Sequence, residues 1–150
     1  MISYDDVIAW IRRFAAVVAE NKVYLTELDS AIGDADHGIN MDRGFTAVAV
    51  KLDGLVGPDI GQTLKTVGTT LVSTVGGASG PLYGMFFMQM GGAAAGKEAL
   101  TAEDFATAFE AGVGGVLRIG KAEAGEKTMV DALLPARAAL RAAIADGASV

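Results

Sequence analysis

Three aspartates, a histidine and two glycines fall within ten consecutive positions of this chain, Asp29-Ser30-Ala31-Ile32-Gly33-Asp34-Ala35-Asp36-His37-Gly38. The glycines allow the loop to fold so that the carboxylates of Asp29, Asp34 and Asp36 converge. Hard cations such as Mg2+ take oxygen ligands in near-octahedral geometry, commonly one or two carboxylates completed by water and substrate phosphate. Three aspartates therefore suit two neighbouring ions that share a ligand and clamp a di- or triphosphate. Without cations the carboxylates repel one another and any phosphate. A single Asp-x-Asp-x-Gly string is more often a turn than a site, because Asp and Gly serve turns well. The EF-hand alternative fails, since its five alternating ligands and terminal Glu are missing. His37 is the only histidine of the chain. Its place directly after two candidate ligands favours a phosphate contact over a structural role, and Asn40 offers an amide to the same ligand.

A second segment, Gly76-Gly77-Ala78-Ser79-Gly80-Pro81-Leu82-Tyr83-Gly84, follows one apolar helical stretch and opens another. Ser79 stands where an N-cap would, and Pro81 suits a first turn. Backbone N–H groups at a helix start, with glycines removing bulk, form a phosphate cradle, and the Ser79 hydroxyl adds a donor. A tight helix–helix turn would look the same. The string is not a Gly-x-x-x-x-Gly-Lys-Ser/Thr loop and no strand precedes it. In the third segment, from Gly120 through Lys121, Lys127 and Thr128 to Met129, the lysines supply positive charge. Met129 could lie against a purine, although a methionine is usually core.

The elements that must position these residues read as helices. Val7, Ile8, Ile11, Phe14, Ala15 and Val18 share a face behind a Ser3 cap, with Asp5 and Asp6 in the first turn. Asp59 caps a second stripe of Ile60, Leu64, Val67, Leu71 and Val75. Thr101 and Asp104 form a capping box before Phe105, Ala108, Phe109, Val113 and Val116. A last stretch from Thr128 turns Met129, Leu133, Leu140 and Ile144 toward a core, with Pro135 marking a kink or a late start. The 20 glycines cluster between or at the ends of these stretches, where backbone must turn or approach a ligand. Strand alternation is scarce. The expectation is an all-α domain over residues 1–150, a bundle or barrel of antiparallel amphipathic helices. Asp146-Gly147-Ala148-Ser149-Val150 reads as a helix stop followed by the start of something more.

Composition narrows the partners. A chain of 150 residues, 51% apolar and 20% charged, is globular. A net charge of −6 disfavours nucleic acid and anionic membranes. No apolar run reaches the roughly 20 residues needed to span a bilayer, and the N-terminal segment lacks a signal-peptide pattern, which points to the cytoplasm. The absence of cysteine excludes disulfides, thiolate metal sites and a cysteine nucleophile.

Taken together and in order, the three segments, with Leu28-Asp29 and Arg43-Gly44-Phe45, resemble the L subunits of bacterial dihydroxyacetone kinase. The resemblance runs from the first helix to about Ala145. It implies a helical barrel that binds nucleotide at one end, with Asp29, Asp34 and Asp36 on two Mg2+ ions that bridge the phosphates of ADP or ATP. His37, Gly38, Ile39, Asn40, Gly77, Ala78 and Ser79 would surround the phosphates, while Gly120, Thr128 and Met129 would border the adenine. The implied partners are a K subunit, holding dihydroxyacetone on a histidine, and a phosphotransferase-system M subunit that rephosphorylates a resident ADP. Positioning and charge neutralisation dominate phosphoryl transfer, so His37 is not assigned as a base. The family continues for several dozen residues beyond this sequence, so the last helices of the barrel are expected to be missing and apolar flanks exposed. Other readings are an ATP-dependent kinase domain for another substrate, such as a fatty-acid-kinase relative, a non-catalytic helical adaptor, and a metal-dependent phosphatase.

Overall fold

Seven helices account for most of the computed structural model, which describes residues 1–148. They are α1 (Tyr4–Glu20), α2 (Lys22–Ser30), α3 (His37–Asp53), α4 (Ile60–Thr74), α5 (Ser79–Ala93), α6 (Ala102–Gly120) and α7 (Val130–Ala145). The all-α expectation holds, with one small addition. Strands β1 (Ile2–Ser3) and β2 (Ala99–Leu100) pair antiparallel, Ile2 opposite Leu100 and Ser3 opposite Ala99. This ribbon ties the start of α1 to the start of α6. The Ser149-Val150 end of the C-terminal expectation lies outside the described residues; before it, Gly147 takes φ 82 and ends α7 as read.

Local chemistry sets the helix starts. Ser3 and Asp6, and likewise Thr101 and Asp104, form reciprocal capping boxes, and the Asp59 side chain accepts from Gln62 N–H. Each such cap contributes about 1 kcal/mol. The apolar stripes then face one core: Val7, Ile11 and Val18 from α1, Met41, Phe45 and Val48 from α3, Leu64, Val67 and Leu71 from α4, Phe87 and Met90 from α5, Val113 and Val116 from α6. Full burial of side chains of this size contributes about 1.5–3 kcal/mol each.

Consecutive helices pack as neighbours from α2 to α7, and α1 lies against α3. The most extensive helix contact is α4 on α5, and it explains glycines that lie inside helices rather than in turns or at a ligand. A Cβ on Gly68 would lie 2.6 Å from the Gly84 carbonyl oxygen, and one on Gly91 would lie 2.6 Å from that of Gly61. On α6, a Cβ at Gly112 would lie 2.8 Å from Met90 and one at Gly115 2.9 Å from Gln89. Gly68, Gly84 and Gly91 therefore sit inside helices where main chains approach one another, and Gly112 and Gly115 where α6 receives side chains of α5, a correction to the picture of glycine at element ends. The gain is close dispersion contact between helices.

The last helix also departs from expectation. Pro135 is the sixth residue of α7 and the helix runs on through it. Only Val130 of α7 is buried; Leu133 packs half-buried against the core as read, while Leu140 and Ile144 are half-exposed, with α6 the main packing partner of the helix. Arg141 fastens the pair: its Nε and Nη2 donate to Glu110 at 2.8 and 2.7 Å, and Nη1 donates to Glu103.

Candidate phosphate and metal site

The acidic window is less of a loop than its sequence suggests. Asp29 sits in the last turn of α2, residues 31–36 form the connection, and His37 to Asn40 make the first turn of α3. The Asp29 carboxylate lies across the start of α3 and caps it: Oδ2 accepts from Asp36 N–H at 3.0 Å and from His37 N–H at 3.2 Å. Those groups are among the N-terminal donors a helix cannot satisfy internally. Asp36, though it stands at the N-cap, makes no side-chain capping bond, so its carboxylate is left for other work. Gly33 passes over Asp29 where a side chain would collide with that carboxylate, and its N–H donates to the Asp29 carbonyl at 2.6 Å. Ala35 takes the left-handed φ of 60 between the two loop aspartates, a conformation that costs an alanine about 1–2 kcal/mol.

The outcome is convergence. Asp29, Asp34 and Asp36 each offer a carboxylate oxygen within 4.8 Å of the others. The pKa values of Asp29 and Asp34 move in opposite directions. The Asp29 carboxyl is held below its usual value, first by the Asp36 N–H and then by His37, against a smaller opposing effect of desolvation. For Asp34, a bond from its own backbone lowers the value, but the Asp36 carboxyl, partial burial and the Asp29 charge together raise it. Among the described residues, no Lys or Arg forms an ion pair with these three. The donor set is all oxygen and anionic, which matches a hard divalent cation and leaves a charge deficit for one to fill.

His37 joins this cluster to the glycine segment. Its Nδ1 lies 3.1 Å from Ser79 Oγ. Ser79 was expected at the N-cap of α5; it is instead the first helical residue, Ala78 takes the cap position, and no side chain caps the helix. The hydroxyl is drawn across to the imidazole rather than back to its own helix. Gly77 turns the chain at φ 64, with open space where a side chain would be, and Ala78 is exposed beside it. Asn40 is buried below, 5% exposed, with its amide at Gly76: a Cβ there would lie 3.0 Å from Nδ2. Gly38 is fixed by packing, because a side chain would strike the Lys22 carbonyl oxygen and Thr26 Oγ1 of α2. Ile39 is half-exposed at the rim.

The third segment reaches the first turns of α5 from another side. A Cβ on Gly120 would lie 3.2 Å from Leu82. Met129 lines an apolar cavity of about 170 Å3 with Phe14, Tyr83 and Leu133. A neighbouring cavity of about 270 Å3 shares Phe14 and Tyr83 and ends at His37 and Met41. Tyr83, quoted in the glycine segment but given no role there, thus stands between Met129 and His37, and burial pushes its phenol up. Thr128 is exposed, and its Oγ1 accepts from Val130 N–H at 3.2 Å. The structure brings the carboxylates, His37, Asn40 and Ser79 together; Gly120 and Met129 approach through α5, and Thr128 meets only its own segment in the contacts described. Two residues escaped the sequence reading as participants. Asp131 accepts from the N–H groups of Gly125 at 2.6 Å and Lys127 at 2.8 Å, which shapes the third segment. Arg43 holds the Asn40 amide. Its signal was position, three residues after Asn40 on a helix.

Residues 31–150 match the DAK2 domain family model. The chain belongs to that family. It is 45% identical over 140 residues to the ADP-binding subunit DhaL of the PEP-dependent dihydroxyacetone kinase of Escherichia coli, covering 93% of this chain and 67% of that one. It is 43% identical over 131 residues to the ADP-binding subunit DhaL of the PTS-dependent dihydroxyacetone kinase of Lactococcus lactis, with 87% and 66% covered. Identity to an L-erythrulose 1-kinase of Mycolicibacterium smegmatis is 34% over 137 residues, 90% of this chain and 24% of the kinase. The chain therefore spans about two thirds of the length of the DhaL subunits it matches. No helix among the described residues is long and apolar enough to cross a membrane.

Proposed function

We propose that this chain carries ADP for a dihydroxyacetone kinase in the cytoplasm. The supporting observation is the meeting of three carboxylates within 4.8 Å, none in an ion pair with Lys or Arg among the described residues, beside the His37–Ser79 contact, in a chain 45% identical to an ADP-binding subunit. Asp29, Asp34 and Asp36 would hold two Mg2+ ions. When bound, these supply the positive charge that lets phosphates approach an acidic surface and withdraw electron density from the transferring group.

The chain's own groups do the positioning. His37, Gly38, Ile39, Asn40, Gly77, Ala78 and Ser79 would line the phosphates, with free N–H groups at the starts of α3 and α5 directed to anionic oxygen. Gly120, Thr128 and Met129 would border the adenine. The P–O bond between the terminal phosphoryl group and ADP breaks as one forms to a hydroxyl oxygen of dihydroxyacetone held on a K subunit. The hydroxyl proton leaves to a base on that partner, and His37, engaged with Ser79, orients phosphate. The names of the DhaL relatives favour a resident ADP, rephosphorylated by a phosphotransferase-system M subunit, over exchangeable ATP. The likeness to an erythrulose kinase supports one second reading, in which the acceptor is a longer ketose.

Calorimetry with ADP in the presence of Mg2+ and then of a chelator is the direct test. Binding with Mg2+ that disappears with chelator is expected. A folded protein that binds ADP in neither condition would overturn the proposal.

A further inference from the structure

Arg43 touches none of the groups assigned above to metal or adenine, yet it controls the face that Asn40 shows to the phosphates. Its Nη2 donates to Asn40 Oδ1 at 2.7 Å, and its Nε donates to the Thr74 carbonyl at 2.9 Å. Thr74 ends α4, and its carbonyl is one of those a helix C-terminus leaves without an intrahelical partner, in a region that favours a cation. Five residues later the chain enters α5 at Ser79. One guanidinium therefore pins the approach to the glycine segment on one side and the Asn40 amide on the other. A planar fork can do this; a flexible ammonium cannot hold both.

The chemical consequence lies in the amide. An asparagine side chain can turn either its carbonyl or its NH2 toward a ligand. Here Arg43 occupies the carbonyl oxygen, so the NH2 alone is left, and it has no protein acceptor among the described residues. It lies beside Gly76, where a Cβ would come within 3.0 Å. Asn40 is 5% exposed, whereas its NH2 is not sealed from solvent. A buried amide held with only its donor end open is matched to an anionic oxygen.

We infer that Arg43 is a positioning residue that locks Asn40 as a hydrogen-bond donor to the nucleotide's phosphates. The inference rests on the nucleotide-carrying reading and adds to it the residue that sets the polarity of the phosphate pocket.

Calorimetric titration of the full chain with Mg2+ and either ADP or inorganic pyrophosphate tests it, using Arg43→Ala, Asn40→Ala and the double variant. Arg43→Ala is expected to weaken both ligands about tenfold, the scale of a lost charge-assisted hydrogen bond. The double variant is expected to be no weaker than Asn40→Ala, because Arg43 acts through that amide. Parent-like affinities for Arg43→Ala, or penalties that simply add, overturn the inference while the ADP site stands. If the parent itself binds no ADP, the broader reading fails and this one with it. Arg43→Lys guards against loss of fold, since it keeps a cation near Thr74. Its circular dichroism should match the parent while both affinities drop, and parent-like affinity in that variant again overturns the inference.

Discussion

Ser79 Oγ stands 3.1 Å from His37 Nδ1, so the first residue of α5 is joined to the first residue of α3 across 42 positions of sequence. Two helix N-termini thereby face the same space, each bringing a polar side chain. Removing the hydroxyl tests how much of the phosphate pocket depends on this pair. Ser79→Ala should weaken ADP–Mg2+ binding about fivefold, the equivalent of about 1 kcal/mol for one ordinary hydrogen bond. The melting temperature without ligand should hardly move, since Ser79 caps nothing. An unchanged dissociation constant would take Ser79 out of the site.

The carboxylate cluster predicts opposite effects on folding and on binding. Asp36 is the first neighbour to oppose ionisation of Asp34, through a shared hydrogen bond and through its charge. A carboxyl with a raised native pKa binds its proton more tightly when folded, so stability declines as pH rises through its titration. Asp36→Asn relieves that repulsion and should leave the metal-free protein at neutral pH as stable as the parent, or slightly more so. Mg2+-dependent ADP binding should fall sharply. Chemical denaturation run beside calorimetry separates the two, and a variant that loses both stability and binding would instead give Asp36 a structural role.

Acid sensitivity should centre on a different aspartate. The Asp104 carboxyl is lowered from its usual 3.8 to about 2, mainly by the Thr101 N–H and then by Lys97 and the Thr101 hydroxyl. For a carboxyl with a depressed native pKa, the stabilisation is complete above 3.8 and is lost as pH falls through the interval toward 2. Asp104→Asn should therefore flatten the stability profile over that interval. Urea melts at stepped pH will show it, and an identical slope in parent and variant would contradict the capping-box account of how α6 begins.

Legibility in the sequence follows the distance over which each interaction acts. Ser3, Asp59 and Thr101 were readable as caps because a cap is completed within three or four residues. Gly68, Gly84, Gly91 and Gly112 were not readable as packing points, because the atoms that require them belong to other helices. The three aspartates were legible by type and spacing. That Asp29 caps α3 was hidden, since the contact depends on a left-handed Ala35 and a bare Gly33. Strands of two residues, such as β1 and β2, are too short to show any period. Leu140 and Ile144 carry a core-like pattern yet stay half-exposed, because a pattern does not state how deeply its helix is packed.

Gly38 links the site's shape to helix packing. A side chain there would press on the Lys22 carbonyl and Thr26 Oγ1, forcing α3 away from α2 and so Asp36 away from Asp29. Gly38→Ala should cost about 1–3 kcal/mol of stability, the usual penalty for overpacking, and should remove ADP–Mg2+ binding. Gly92→Ala is the matched control, with no heavy atom near its added methyl inside α5. Exchanging glycine for alanine in a helix interior should stabilise by about 0.5–1 kcal/mol. Equal melting temperatures for the two variants would contradict the close α2–α3 approach.

Asp131 offers the last test, on the segment that approaches α5 from the other side. Its carboxylate accepts from Gly125 and Lys127 N–H, and these bonds, Gly125 first, hold its pKa below the usual carboxylate value. Lys127 meanwhile takes the left-handed φ of 58, which a lysine does not choose unaided. Replacing Asp131 with Ala removes both acceptors at once, so the segment should open locally while the helices stay packed. Hydrogen exchange at the Gly125 and Lys127 amides should speed up by roughly an order of magnitude, since each amide loses a charged acceptor, with core amides of α4 and α5 unchanged. If the segment shapes the adenine border, ADP binding should weaken while binding of pyrophosphate with Mg2+ does not. Equal losses for both ligands would move Asp131 from the adenine side to the phosphate pocket.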